Sequence, residues 1–233
     1  MEPANLRGMN RELSRAYDRI SLLYDSVLTK AYLRRRFWPS SGEEAARKEV
    51  VAQLEISPGS KVLETGVGTG DNAAYLTQVA GVGLFGVDIS IGMLKQCAGR
   101  LNRHKPQIEL FLANAEELPF WDEAFDVVFH VGGINFFEDK KKAMAEMVRV
   151  AKAGTKIVIA CETEKAIQMN KHAIRLGFGK ELAKKMLGFS RSDVLNSVPK
   201  DVNDIGIDEI WEGNGYLLTF RKPEVIKRLK KTL

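Results

Sequence analysis

Glu64 is followed by three glycines at alternate positions, Gly66, Gly68 and Gly70, and the apolar pair Val62-Leu63 precedes it. That spacing is the pattern of a strand, a tight turn and a helix start. Glycine in such a turn lets backbone approach a ligand closely, because no Cβ stands in the way. The helix behind the turn presents unpaired N–H groups. A dinucleotide fingerprint, G-x-G-x-x-G, would put its third glycine at position 71, which is Asp. A carboxylate there repels the pyrophosphate that such a helix end normally holds, and Glu64 adds negative charge. The turn therefore suits an adenosine that carries positive charge. Asp88 lies 18 residues past Gly70, close to the roughly 20-residue offset of an acidic side chain that takes ribose hydroxyls. Asn114 and His130 add an amide and a titratable ring, each at the end of an apolar run.

The elements that must position these residues can be read from periodicity. Residues 1–40 have a helical pattern, with Leu13, Ala16, Tyr17, Ile20, Leu23, Tyr24 and Val27 recurring at three and four. Tyr-Asp occurs at 17–18 and again at 24–25, seven residues apart and so on one helical face. Ser41-Gly42-Glu43-Glu44 reads as a capping box opening a helix to about Leu54. Apolar runs predict strands at Val62-Leu63, 83–87, 108–112, 125–129 and 156–161. Helical stretches alternate with them: Ala73 to Val79, a Ser90-capped helix with Met93, Leu94, Cys97 and Leu101, and a stripe of Ala143, Met144, Met147, Val148 and Ala151. Strands alternating with helices indicate a parallel sheet covered on both faces, an α/β fold. Ligands of such sheets bind at the carboxyl ends of the strands. Glu64, Asp88, Asn114 and His130 all fall at those ends. The stretch 162–187 is helical and basic. Segments 205–211 and 216–220 read as a hairpin turned at Asn214-Gly215. The whole chain reads as one domain: an N-terminal cap over 1–40, a core over 41–161, a helical insert over 162–200, and a hairpin with a basic tail over 201–233.

With 233 residues, 45% apolar and 28% charged, the chain has the make-up of a globular protein with one sizeable core. No run of 18 apolar residues occurs, as a membrane-spanning helix would need, and the first thirty residues lack a signal-peptide core. Cys97 and Cys161 form no C-x-x-C pair and fit packed thiols in a reducing cytoplasm. His104, His130 and His172 are too scattered to suggest a metal site. The net charge is +5, with basic clusters at Arg34-Arg35-Arg36 and at Arg221, Lys222, Lys227, Arg228, Lys230 and Lys231. These read as solvated faces, or as attraction to nucleic acid or an anionic membrane.

From about 45 to 160 the chain resembles the class I S-adenosylmethionine-dependent methyltransferases. Within them it is most similar to the small-molecule group that includes the ubiquinone/menaquinone biosynthesis C-methyltransferases. The residues that carry the likeness are V-L-E-T-G-V-G-T-G at 62–70, V-D-I-S at 87–90, A-N-A-E-E-L-P-F at 113–120 and R-V-A-K-A-G-T-K at 149–156, with Y-D-R-I-S-L-L-Y-D at 17–25. Asn114 stands where the group usually has Asp, and Ala153-Gly154-Thr155 where it has Pro-Gly-Gly. The resemblance implies a Rossmann-like, mostly parallel seven-stranded sheet with an antiparallel last strand, and S-adenosylmethionine as cofactor. The ammonium and sulfonium of that molecule suit the acidic turn. The resemblance also implies roles: Glu64 orients the methionine end, lined by Gly66, Gly68 and Gly70. Asp88 takes both ribose hydroxyls, with Ile89 packed on the adenine and Met93 beside it. Asn114 and Ala115 face the adenine edge, His130 lies near the methyl donor, and Tyr17 and Tyr24 close over the cofactor.

A sulfonium methyl is already activated, so holding an acceptor in line with it, away from water, supplies most of the acceleration. A base is needed only if the acceptor must lose a proton. His130 is the candidate by type and position, a plain pocket-wall histidine is the other reading, and Tyr24, Asn135 and Glu162 are alternatives. The fourth strand ends in H-V-G-G. It has neither the Asp/Asn-Pro-Pro-aromatic motif of base amino-methylation nor a Pro-Cys. That favours a small or lipid-like acceptor, of quinone type or another metabolite, in a pocket built from Phe136, Phe137, Trp38 and the 162–189 segment. An RNA-directed methyltransferase, a non-catalytic adenosine-nucleotide binder, an NAD(P) enzyme and a basic module at an anionic surface are the competing readings.

Overall fold

The structure, a computed structural model, describes residue 3 and residues 5–24, 39–79, 81–102 and 107–224. Seven strands form one sheet: β1 (Lys61–Thr65), β2 (Gly83–Asp88), β3 (Glu109–Leu112), β4 (Val127–Val131), β5 (Lys156–Glu162), β6 (Asn203–Ile210) and β7 (Gly215–Arg221), in the order β3-β2-β1-β4-β5-β7-β6. β3, β2, β1, β4 and β5 are mutually parallel, while β7 runs antiparallel to both β5 and β6. The central strands are near-continuous apolar runs because helices cover them on both faces.

Alternate residues of each strand enter opposite cores. On one side Val62, Phe129 and Val158 pack with Ala46 and Val50 of α2 (Gly42–Val51), Leu76 of α3 (Asp71–Leu76), and Leu94, Cys97 and Leu101 of α4 (Ile91–Leu101). On the other, Leu63, Val128, Ile157 and Ile159 meet Met144, Met147 and Val150 of α5 (Lys140–Val150). A third cluster joins Leu13 and Ala16 of α1 (Gly8–Tyr24) to Phe136 and to α6 (Glu164–Met169), α7 (Lys171–Phe178) and α8 (Lys180–Leu187) through Ile167, Ile174, Leu182 and Met186. A short α9 (Arg191–Leu195) precedes β6.

Ser90 caps α4 as expected, its Oγ accepting from Met93 N at 3.1 Å. Four local expectations are corrected. Ser41 is in the αR region and makes no side-chain cap bond, because Glu44 pairs instead with Lys48 at 2.8 Å and Glu43 with Arg47. Leu23 is exposed rather than part of the buried α1 stripe. The β6–β7 connection does not turn on Asn214-Gly215: positive φ occurs at Trp211, Glu212 and Gly213, while Asn214 has φ −90°. Tertiary contacts override the local signal here. Trp211 is buried and its Nε1 donates to Ala46 O at 3.3 Å, and Glu212 accepts from Ser40 N and Oγ. β4 also starts at Val127, two residues later than the apolar run, and Phe125 makes only an isolated bridge to Ala151. Val27, Arg34 to Trp38, His104 and the tail from 225 onward lie outside the described residues.

A Cβ at Gly215 would stand 2.7 Å from Trp211 Cδ2. Gly215→Ala is therefore expected to displace the indole and lower stability by about 1–3 kcal/mol. Denaturant unfolding checks it, and an unchanged midpoint would count against the packing role.

Candidate active site

The carboxyl ends of β1, β2, β4 and β5 open on one cleft. Of the twelve positions singled out from the sequence, eleven line it: Tyr17, Tyr24, Glu64, Gly66, Gly68, Asp88, Ile89, Met93, Asn114, Ala115 and His130. Gly70 does not. A Cβ there would stand 2.6 Å from Cys97 Sγ, so Gly70 lets the turn sit on α4. Gly66 serves the wall, since its Cβ would meet His130 Cε1 at 2.9 Å. Only Gly68 is open, with nothing within 4 Å of a Cβ. The turn is tied to β2 by Gly66 N and Val67 N donating to Val87 O at 2.7 and 3.0 Å.

Glu64 is buried. Its Oε1 accepts from Asn72 Nδ2 at 2.7 Å, while Oε2 has no hydrogen-bond partner. Burial raises its carboxyl to about 8, against the opposing Asn72 hydrogen bond and Arg47 charge. Arg47, on α2, donates to Asn72 Oδ1 at 2.8 Å and pairs with Glu43 at 2.8 Å and Asp71 at 3.4 Å; Arg100 also pairs with Asp71. Burial works against the Arg47 charge, and Asp71 and Glu43 more than offset it. Arg47, Asp71 and Asn72 all line the cleft. Sequence reasoning treated Glu43 as a cap and passed over Arg47. The signal was their i,i+4 spacing on the helix that leads into β1.

Asp88 receives Gly68 N on Oδ2 at 2.9 Å and Ser90 N on Oδ1 at 2.8 Å. Enclosure by the cleft walls raises its carboxyl to about 6, and these backbone donors oppose the rise. Asn114 lines the cleft, and its Oδ1 accepts from Glu116 N at 3.0 Å.

His130 lies inside β4, opposite Thr65 of β1, and is fully buried. Its Nδ1 is 2.6 Å from Thr65 O. A carbonyl can only accept, so Nδ1 carries the proton and Nε2 is left as an acceptor. Burial lowers the ring to about 4, so it is neutral at pH 7. Nε2 has no hydrogen-bond partner. The ring packs edge-on against Phe137, with centroids 5.2 Å apart.

α1 forms the roof. Tyr17 meets Tyr24 and Phe178 edge-to-face at 6.3 and 5.2 Å. Asp18, the second half of the first Tyr-Asp pair, accepts Ser90 Oγ at 2.6 Å and Gly92 N at 2.8 Å. Ser14 Oγ donates to Ile89 O at 2.8 Å. The other end of α1 is held by Asn10 Nδ2 donating to Glu116 Oε1 at 2.6 Å. At the end of β5, Glu162 lines the cleft. Its backbone carbonyl accepts from Asn135 Nδ2 at 2.9 Å, and Tyr216 OH donates to Asn135 Oδ1 at 2.6 Å.

The family described as "Methyltransferase domain" matches residues 63–159. A demethylmenaquinone methyltransferase of Renibacterium salmoninarum is 33% identical over 148 residues, 64% of this chain and 60% of that protein. A ubiquinone/menaquinone biosynthesis C-methyltransferase of Citrifermentans bemidjiense is 30% identical over 207 residues, 86% of this chain and 87% of the relative. Among solved structures, phosphoethanolamine N-methyltransferase 2 of Haemonchus contortus, in complex with S-adenosyl-L-methionine, is 17% identical. Its TM-score is 0.66, and the match covers 95% of this chain and 61% of that one.

The raised Glu64 carboxyl has a consequence for the ligand-free protein. The unfolded chain ionises near the ordinary value of 4.5, whereas the folded chain ionises near 8. Folding stability is therefore intact below about pH 4.5 and declines as pH rises through 8. The melting temperature of the free protein is expected to fall from pH 5 to 8 relative to that of Glu64→Gln. Parallel pH profiles for the two proteins would refute it.

Proposed function

The chain belongs to the class I S-adenosylmethionine-dependent methyltransferases, and from that premise we propose that it methylates a small, largely apolar acceptor of quinone type. The observation that carries the reading is a pair of buried acceptor atoms, Glu64 Oε2 and His130 Nε2, left without donors in the cleft where Gly68 leaves open space. A ligand entering there must bring donors, and preferably a cation. The ammonium of S-adenosylmethionine fits Glu64 on both counts. The Arg47–Asn72 pair beside Glu64 suits its carboxylate, and Asp88 its ribose. When bound, this cofactor supplies a sulfonium-activated methyl group.

The rest is the work of this chain's own residues. The Gly66–Gly68 backbone admits the ligand, Glu64 and Asp88 orient it, Ile89 and Met93 flank the base, and the Asn114 amide faces the base edge. Tyr17 and Tyr24 cover the cleft and exclude water. Phe136, Phe137, Leu13 and Val131 give the remaining wall an apolar surface. The relatives named for demethylmenaquinone and ubiquinone/menaquinone biosynthesis point to an aromatic ring with oxygen substituents. In reduced form such a ring is electron-rich and carries hydroxyl donors that His130 Nε2 accepts. A ring that ionises near 4 is a weak base, so we assign His130 to holding the acceptor hydroxyl in line. Glu162 lines the same cleft and is the carboxylate that takes a proton the acceptor releases.

Titration calorimetry is expected to show binding of S-adenosylhomocysteine and none of NAD. Asp88→Ala should weaken the former by about 10–100-fold, the value of charged hydrogen bonds. Because Glu64 and Asp88 must both be charged to bind, affinity should fall from pH 8 to pH 6, with proton release at pH 7. NAD binding, or a flat pH profile, would overturn the ligand assignment. For the acceptor, labelled methyl should pass to dithionite-reduced demethylmenaquinone. His130→Ala should cut that turnover at least about tenfold while changing S-adenosylhomocysteine affinity less than about twofold. Equal turnover would remove His130 from the reaction.

A further inference from the structure

We propose that the outer face of α1 and α7 docks on an anionic lipid surface, so that the helices covering the cleft lie against the membrane. The proposal deepens the apolar-acceptor reading and rests on it only for its purpose. The evidence for the surface is independent. α1 and the segment Glu164–Leu187, which contains α6 to α8, carry nine cationic and four anionic side chains, a surplus of five. The whole chain has a net charge of +5. The basic stretch 221–233 carries an equal surplus, and the remaining residues together are net negative, so the helices over the cleft are one of two basic regions of the chain.

Its arrangement is directional. Arg11, Arg15 and Arg19 follow at i, i+4 and i+8 on the face of α1 opposite Leu13, Ala16 and Tyr17, and all three are exposed. That stripe leads into Leu22 and Leu23, which are 80% and 65% exposed. On α7, Leu176 is 91% exposed beside exposed Arg175, opposite buried Ile174. The two helices meet through the Tyr17–Phe178 ring contact, and Tyr17 and Tyr24 line the cleft. The leucines and arginines thus lie on the outer side of the helices that cover the cleft.

Arginines alone would suit a nucleic acid as well as a lipid headgroup. Three leucines projecting into water among them favour lipid, because a bilayer interface accepts both: the apolar chains enter the acyl boundary and the guanidinium groups meet the headgroups. An apolar quinone-type acceptor would partition into the same bilayer.

The full chain should co-sediment with vesicles made of equal parts phosphatidylcholine and phosphatidylglycerol, and not with phosphatidylcholine alone. Neither preparation contains an acceptor, so the outcome is separate from any failure of the methylation assay. The triple change Leu22→Ser, Leu23→Ser, Leu176→Ser should weaken vesicle binding about tenfold or more, and Arg19→Glu with Arg175→Glu by a similar factor. Calorimetric affinity for S-adenosylhomocysteine should stay unchanged in both variants, which verifies that they fold. Absence of binding to anionic vesicles would overturn the proposal. So would binding that survives both sets of changes. Tighter binding to a structured RNA, lost with the arginines but retained with the serines, would assign the face to nucleic acid instead.

Discussion

A carboxylate that is buried and only half satisfied sets the terms of this structure. Glu64 closes the first strand, with one oxygen held by Asn72 and the other without a partner. Leaving a buried charge in that state is costly, so the free protein keeps it largely protonated. Much of the surrounding sequence can be understood as support for that arrangement. Arg47 orients Asn72, Glu43 and Asp71 keep Arg47 charged, and Arg100 pairs with Asp71. The acidic side chain at the helix start, which is wrong for a pyrophosphate, is thus one of the anchors of the arginine that serves the cleft.

The roof depends on the floor through a second carboxylate. Asp18 on α1 caps the start of α4, next to the loop that carries Asp88 and Ile89, and Ser14 reaches the carbonyl of Ile89. A helix held this way cannot lift without exposing the adenosine side of the cleft. Because Tyr17 lies next to Asp18 in the chain, the bonds that cap α4 also fix Tyr17 at the cleft wall. Gly92 shows how close the approach is: a Cβ there would stand 2.6 Å from Ser21 Oγ.

The sheet was legible because its information is periodic and local. Central strands covered on both faces must be apolar runs, and the polar residues ending those runs had to converge. The turn over Trp211–Asn214 was not legible, since the buried indole and the Ser40–Glu212 bonds outweigh the Asn-Gly preference. The packing of Gly70 was not legible for a similar reason. Glycine spacing identifies a turn, but what each missing Cβ makes room for depends on Cys97, 27 residues away. Arg47 carried only an i,i+4 pairing with Glu43, which looks like ordinary helix-surface chemistry until the fold brings Asn72 beside it. His130 lines the cleft. Its tautomer and lowered basicity come from the Thr65 carbonyl on the adjacent strand, which no reading of its own segment supplies.

These limits follow a division of labour within the fold. The cofactor side is built from strand ends and the turns that follow them, so its chemistry appears as compact motifs. The opposite wall of the cleft is assembled from α1, the Gly132–Phe137 loop and the end of β5. None of these is a motif by itself, and their joint cluster forms only when α6 to α8 fold back over α1. That wall therefore depends on packing between helices that are distant in sequence. The same helices carry a surplus of five positive charges. Substitutions in these helices therefore change the cover of the cleft and its outer surface together, while the strand ends, anchored in the sheet, can remain constant.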